Sequence, residues 1–207
     1  MVTWIFVRHG ESQANLLHEF SNRGWKHGLT DVGIQQAHLL LDQLKPYPLA
    51  AIYTSPLLRA CQTAEVVGQA LGLVPQVADA LIEFDTGILE GKSDKHSWEL
   101  YADITADWLE RKNYSRRFEG GDSYTAILER FLPFFKGLQQ RHAHSNQAVL
   151  MVGHGGTFRC VLPAILGNID FDFVSQHALS HTGIVVAIEI DDKLLCQVWD
   201  SQIIIQA

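Results

Sequence analysis

The chain has 207 residues, 47% of them apolar and 19% charged, enough to bury a sizeable core within one large domain. Its formal charge of -7 argues against a nucleic-acid binder, which needs a basic stripe against backbone phosphates, so an anionic ligand has to be held by a few local cations. Cys61, Cys160 and Cys196 show no metal-ligand spacing, the start of the chain lacks a signal-peptide pattern, and no apolar run reaches the roughly 18 residues of a membrane span, so a cytoplasmic protein with no disulfide and no membrane partner is expected.

Val2 to Val7 is a short apolar run rich in β-branched and aromatic residues, the pattern of a buried parallel strand, and Ala50 to Tyr53 and Ala148 to Val152 repeat it. After Thr30, an N-cap residue, Ala37, Leu40, Leu41 and Leu44 recur at helical spacing until Pro46. Ser55-Pro56, cap then first-turn proline, predicts a second helix to about Leu71-Gly72. Residues 84 to 119 mix Trp98, Tyr101, Trp108 and Tyr114 with many charges, fit no such rhythm, and are expected as an insertion over the sheet's edge. A third helix should start at Gly120-Gly121-Asp122-Ser123 and run towards Gln140, with Pro133 a kink or break. A fourth should follow Gly155-Gly156 and end at Gly167, and Thr182 to Ile190 with Leu194 to Trp199 read as a hairpin around Asp191-Asp192-Lys193. Strands alternating with helices predict an α/β layer fold with a mostly parallel sheet; without repeats or linkers, residues 1–207 read as one catalytic domain.

Two of the predicted strands end in His-Gly, at His9-Gly10 and His154-Gly155. Ligands of open α/β sheets bind at the carboxyl ends of strands, so both histidines project from the functional edge and the adjoining glycines let backbone approach a ligand. Arg8 precedes the first histidine, and Arg59 falls in the first turn of a helix, where a cation opposes the macrodipole by roughly 0.3–1 kcal/mol unless an anion offsets it. A histidine attacks phosphorus when one ring nitrogen is free and the other is fixed as a donor, and the product is a phosphohistidine. Arg8, Arg59 and a protonated His154 would surround the equatorial oxygens, and Asn15 could donate an amide hydrogen. The leaving alcohol needs a proton donor, and Glu83, between Ile82 and Phe84 after a strand-like run, is the candidate.

Arg8-His9-Gly10-Glu11-Ser12 with Asn15, Leu29-Thr30-Asp31-Val32-Gly33, Thr54-Ser55-Pro56-Leu57-Leu58-Arg59-Ala60-Cys61-Gln62-Thr63-Ala64-Glu65, Leu81 to Gly91 and Val152-Gly153-His154-Gly155-Gly156 resemble the histidine phosphatase superfamily, the phosphoglycerate mutase-like group, over nearly the whole chain and in order. The resemblance implies a three-layer α/β/α sandwich and a histidine acid phosphatase-type phosphomonoesterase that takes a small phosphorylated substrate. It implies His9 as phosphoacceptor, Arg8, Asn15, Arg59, His154 and Gly155 around the phosphate, Glu83 as proton donor, and neither metal nor cofactor.

Hydrolysis is expected over phosphoglycerate mutase-type transfer. Residues 84 to 119 contain no proline, unlike the longer proline-bearing segment of the glycolytic mutases, and Phe118-Glu119-Gly120-Gly121-Asp122-Ser123 resembles the Gly-Gly-Glu-Ser turn of the phosphatases with Asp at the Glu position. Arg116 and Arg117, in a basic cluster with Arg111 and Lys112, are candidates for a second anionic group of the substrate, against a solvated helix end. A binder of phosphorylated ligands without turnover is a third reading. A metallohydrolase is disfavoured because no HExxH pairs the histidines and Arg8 would repel a cation. Of the other histidines, His181 could line the same edge without a catalytic part, and His18, His27, His38, His96, His142, His144 and His177 are expected at the surface or in packing. Trp25 and Trp108 are candidate walls of a substrate pocket, with core packing the alternative. Oligomeric state is not legible.

Overall fold

The computed structural model describes residues 1–143 and 145–205; His144 lies outside them. The three apolar runs form β1 (Thr3–Arg8), β2 (Leu49–Thr54) and β4 (Ala148–Gly153), side by side in the order β2-β4-β1. A short β3 (Gln76–Val77) extends the parallel part beyond β2. On the other side β5 (Ile184–Ile190), β6 (Lys193–Trp199) and β7 (Gln202–Ile203) complete a mixed sheet in the order β3-β2-β4-β1-β5-β6-β7, with β5 antiparallel to β1. The expected hairpin is β5-β6. Asp191 and Asp192 take φ of 50° and 61° in its two-residue turn, the left-handed pair that matches the twist of a tight hairpin.

Helices cover both faces. Side chains of a strand alternate between faces, so Trp4 and Phe6 pack against α5 (Tyr124–His142) and α6 (Gly155–Ile165) through Phe131, Phe135 and Phe158. Ile5 and Val7 pack on the opposite side against α2 (Asp31–Leu44) and α3 (Leu58–Leu71) through Leu40, Leu44, Ala64 and Val67. The result is the three-layer sandwich. Full burial of one such side chain contributes about 1.5–3 kcal/mol, against about 0–1 kcal/mol for an exposed ion pair, so the central strands hold the layers together.

Four local features differ from the sequence expectation. Ser55 does not cap α3: the helix begins at Leu58 after Leu57, because the Ser55 hydroxyl accepts from the Leu57 N–H and turns to a histidine instead. Pro133 leaves α5 unbroken; it sits on the exposed side of the helix, away from the face that packs on the sheet. Glu83 follows a 3₁₀ turn (Asp79–Leu81), not a strand. The segment 84–119 is ordered around a 3₁₀ turn (Gly87–Leu89) and a helix, α4 (Lys95–Leu109), which Asp94 caps by accepting from Ser97 N at 3.0 Å. Phe84, Trp108 and Phe118 pack there ring to ring, Phe84 to Trp108 edge-on at 5.3 Å, so this segment extends the α5/α6 core rather than only covering an edge. Short helices α1 (Gln13–Leu17) and α7 (Phe171–Gln176) complete the connections.

The loop after β1 lies against the start of α2 with no space for side chains. A Cβ on Gly33 would fall 2.0 Å from the Glu11 carbonyl oxygen, and one on Gly10 would fall 2.5 Å from the Gly33 oxygen. The Thr30 hydroxyl accepts from Gly33 N at 3.0 Å and donates to Glu11 at 2.7 Å, which locks the two segments together. Gly33→Ala should therefore lower the urea midpoint by an amount equivalent to about 1–3 kcal/mol of overpacking strain. An unchanged midpoint would show that the loop can yield.

Candidate active site

β1 and β4 are hydrogen-bonded neighbours in parallel register, with Arg8 opposite Gly153. The next residue of each strand is therefore the next pair, and His9 stands beside His154 with ring centroids 5.0 Å apart. The chain leaves β1 towards α2 on one face and leaves β4 into α6 on the other, which opens a crevice between the strand ends. β2 lies on the far side of β4 and ends at Thr54, so Ser55 arrives next to His154, and Arg59 follows from the first turn of α3.

Hydrogen bonds assign the protons on two of the imidazoles. Arg59 Nε donates to His9 Nε2 at 3.0 Å, and since an arginine only donates, the His9 proton is on Nδ1. That nitrogen lies 2.6 Å from the Gly10 carbonyl oxygen and donates to it. Burial, then the charges of Arg59 and Arg8, hold His9 well below the ordinary imidazole pKa, so the ring is neutral with its Nε2 lone pair directed at the arginine. His181 is set the same way: Arg8 Nη2 donates to its Nε2 at 3.0 Å, and burial beside Arg8 pushes its pKa down to about 4.

Arg8 also donates to the Leu179 carbonyl at 2.7 Å, while its Nε is buried without a partner. Arg59 donates to the Ser21 carbonyl at 2.8 Å, and burial pushes its pKa down to about 10, which leaves it charged at neutral pH. His154 is fully buried; its Nε2 lies 2.7 Å from the Ser55 hydroxyl and its Nδ1 has no partner. Burial and the neighbouring Arg59 hold it well below the usual value, so with these partners it is neutral rather than protonated.

Glu83 faces this group across the crevice. One carboxylate oxygen accepts from Gly156 N at 3.0 Å, and the other lies 2.9 Å from the Thr157 hydroxyl. A Cβ on Gly156 would fall 2.8 Å from both oxygens, whereas one on Gly155 would come no closer than 3.4 Å to Arg8, so Gly156 is the glycine that the site requires. Asn15 turns its side-chain oxygen to Ser12 N and Oγ, at 3.0 and 2.8 Å, which leaves its amide hydrogens for the cleft it lines. That cleft has a volume of about 200 Å³; Arg8, His9, Arg59, Glu83 and Gly155 lie on it together with Phe20, Trp98 and Tyr101.

The structure places other candidates elsewhere. Arg116 is paired with Asp107 at 2.5 Å and Asp103 at 2.7 Å, Arg111 binds the same two carboxylates, and Arg117 is exposed; neither Arg116 nor Arg117 lines the cleft. The acidic partners stand on α4, a helix that the sequence pattern did not show. Trp108 is fully buried in the core and Trp25 is 66% exposed, and Phe20, Trp98 and Tyr101 are the aromatic walls instead. His18, His38 and His96 are exposed, His27 meets Glu19 at 3.1 Å, His142 packs edge-on against Trp4, and His177 stacks on Phe173. Ser55 enters the site without having been singled out for it; it directly follows the end of β2, which is the signal that would have found it, whereas His181, expected along the same edge, accepts there from Arg8.

The sequence and the fold have counterparts among known proteins. Phosphoserine phosphatase 1 of Hydrogenobacter thermophilus is 32% identical over 167 residues, 81% of this chain and 77% of that protein. A phosphoglycerate mutase of Schizosaccharomyces pombe is 29% identical over 196 residues, 91% of each chain. Among solved structures, a phosphoserine phosphatase mutant of Entamoeba histolytica in complex with phosphoserine shares the fold with a TM-score of 0.80 at 24% identity, covering 97% of this chain and 98% of its own. A mycobacterial glucosyl-3-phosphoglycerate phosphatase in complex with VO3 does so with a TM-score of 0.78 at 22% identity, over 97% and 99% of the two chains. The model of the histidine phosphatase superfamily (branch 1) matches residues 4–201, and the chain is an enzyme of that superfamily.

Proposed function

We propose that the enzyme hydrolyses a small phosphate monoester through a phosphohistidine at His9. The observation that carries the reading is the fixed tautomer: Nδ1 donates to the Gly10 carbonyl, so Nε2 keeps its lone pair and meets the Arg59 guanidinium, where a phosphoryl group would be held. Nε2 attacks phosphorus as the bond to the leaving oxygen breaks, and Glu83 as the acid delivers a proton to that oxygen. Water then attacks the phosphohistidine, Glu83 takes back a proton, and inorganic phosphate leaves.

Arg8, Arg59, Asn15 and the first turn of α6 at Gly155 supply fixed donors to the equatorial oxygens. His154 is the further donor, with Ser55 holding its other nitrogen; a dianion brought beside it would raise its pKa again. The relatives include mutases as well as phosphatases. Hydrolysis is favoured because Arg116, a candidate for a second anion, is neutralised by Asp103 and Asp107. Three buried, unpaired thiols support a reducing compartment such as the cytoplasm.

The test is rapid quenching with a radiolabelled monoester: label on a histidine in wild type and none in His9→Ala is expected, and label on no histidine would overturn the proposal. Glu83→Gln should keep substrate binding and lose about 10²–10⁴ in kcat. Isomerase activity dependent on bisphosphoglycerate, with little phosphate released, would favour the mutase reading.

The buried imidazoles also predict a pH dependence of stability. His9, His154 and His181 have lowered pKa values in the folded protein, against about 6.5 when unfolded. Below about pH 6.5 the unfolded chain binds protons that the folded chain does not, so stability is complete above that pH and falls below it, by up to about 1.4 kcal/mol per pH unit for each histidine. Urea midpoints at about pH 7 and about pH 5 check this, and His9→Gln should make the fall smaller. Equal falls in the variant and wild type would rule His9 out as a source.

A further inference from the structure

The segment Leu81 to Gly91 carries, besides Glu83, a carboxylate that the chemistry above does not use, Glu90. Glu90 does not line the catalytic cleft. Its two oxygens accept instead from two successive backbone N–H groups of the loop after α1, Oε2 from Asn22 at 2.9 Å and Oε1 from Arg23 at 3.3 Å. Main-chain bonds join the same two segments, Phe20 N to the Lys92 carbonyl at 2.9 Å and Gly91 N to the Phe20 carbonyl at 2.8 Å.

The Asn22 N–H and the Ser21 carbonyl belong to one peptide group. That group is planar and trans, so its N–H and its C=O point away from opposite edges. On the carbonyl edge, the Ser21 oxygen accepts from Arg59 Nη1 at 2.8 Å, and Arg59 Nε donates in turn to His9 Nε2 at 3.0 Å. An unbroken row of hydrogen bonds therefore runs from the Glu90 carboxylate, through a single peptide plane and a guanidinium, to the nitrogen that would attack phosphorus. Ser21, Asn22, Arg59 and His9 are all buried, where hydrogen bonds in a row polarise one another and water does not screen them. A carboxylate on the N–H edge draws the peptide proton and makes the opposite carbonyl a stronger acceptor for Arg59. Its second contact, with Arg23 N, keeps the plane from turning. Burial lowers the pKa of Arg59, and the charges of Glu83 and then Glu90 oppose that shift.

We propose that Glu90 is a positioning residue for the phosphate site, which fixes the orientation of Arg59 through the Ser21-Asn22 peptide without touching the substrate. The two carboxylates of the segment then have separate tasks, Glu83 with the proton and Glu90 with the cation. This rests on the reading of the cleft in which Arg59 holds the phosphoryl group.

The test is a double-mutant cycle read by binding rather than turnover, with the Kd for orthovanadate measured by calorimetry in wild type, Glu90→Gln, Arg59→Ala and the double variant. Glu90→Gln removes the charge and leaves one oxygen for two N–H groups, and it should weaken vanadate binding about tenfold. In the Arg59→Ala background the same change should alter Kd by less than about twofold, because the cation on which it acts is gone. Glu90→Asp, which keeps the charge on a shorter side chain, should bind between wild type and Glu90→Gln. Urea midpoints establish that each variant is folded, and if Glu90→Gln is not, Glu90→Asp is carried through the same cycle. An unchanged Kd in Glu90→Gln, or an equal loss in both backgrounds, would overturn the proposal, the second showing a structural role that does not pass through Arg59. Arg59→Ala that binds vanadate as tightly as wild type counts against the phosphate pocket itself.

Discussion

The site depends on one pairing, that of β1 with β4 in parallel register. Adjacent strands lie about 4.8 Å apart, so two residues that follow the last paired positions are held at that spacing by the backbone ladder rather than by their side chains. His9 and His154 are those residues, and their ring separation of 5.0 Å is the strand spacing carried one residue further. Both strands are buried on both faces, and their residues anchor one helical layer each way. Moving the imidazoles relative to one another would mean breaking that ladder and opening two cores.

Electrostatics follow from the same burial. The chain is acidic overall, yet two arginines sit within the crevice with their guanidinium groups tied to carbonyl oxygens and imidazoles rather than to carboxylates. Carbonyls orient a guanidinium without cancelling its charge. The positive field is thereby kept for a ligand, and burial first, then that field, keeps His9, His154 and His181 unprotonated. At the edge of α4 the opposite arrangement holds, where Asp103 and Asp107 neutralise Arg111 and Arg116.

The segment 84–119 joins the core to the cleft. Phe84 follows Glu83 directly and is buried in the aromatic group with Trp108 and Phe118, so the carboxyl is set by packing as well as by its contacts with Gly156 and Thr157. Asn22 donates to the Phe84 carbonyl at 2.9 Å and Arg23 pairs with Asp85 at 2.7 Å, which fastens the loop after α1 to the same segment. Phe20 and Trp98, with ring centroids 4.2 Å apart, then form one wall of the cleft.

Local sequence was sufficient for the elements and for the residue types of the chemistry. Apolar runs of strand length, helical spacing after Thr30 and two strand-terminal His-Gly pairs are short-range patterns, and they set the α/β class and pointed to His9, His154, Arg8, Arg59, Asn15 and Glu83, which the fold gathers around one crevice. Helix α4 escaped because its buried residues are interleaved with charges, which pair with arginines of the loop that directly follows it. What needed tertiary structure is everything decided by strand order and by burial. No local pattern says that β4 inserts between β1 and β2, and that insertion brings Ser55 to His154. Protonation of the histidines is likewise a sum over neighbours from several segments, and a linear sequence does not contain those distances.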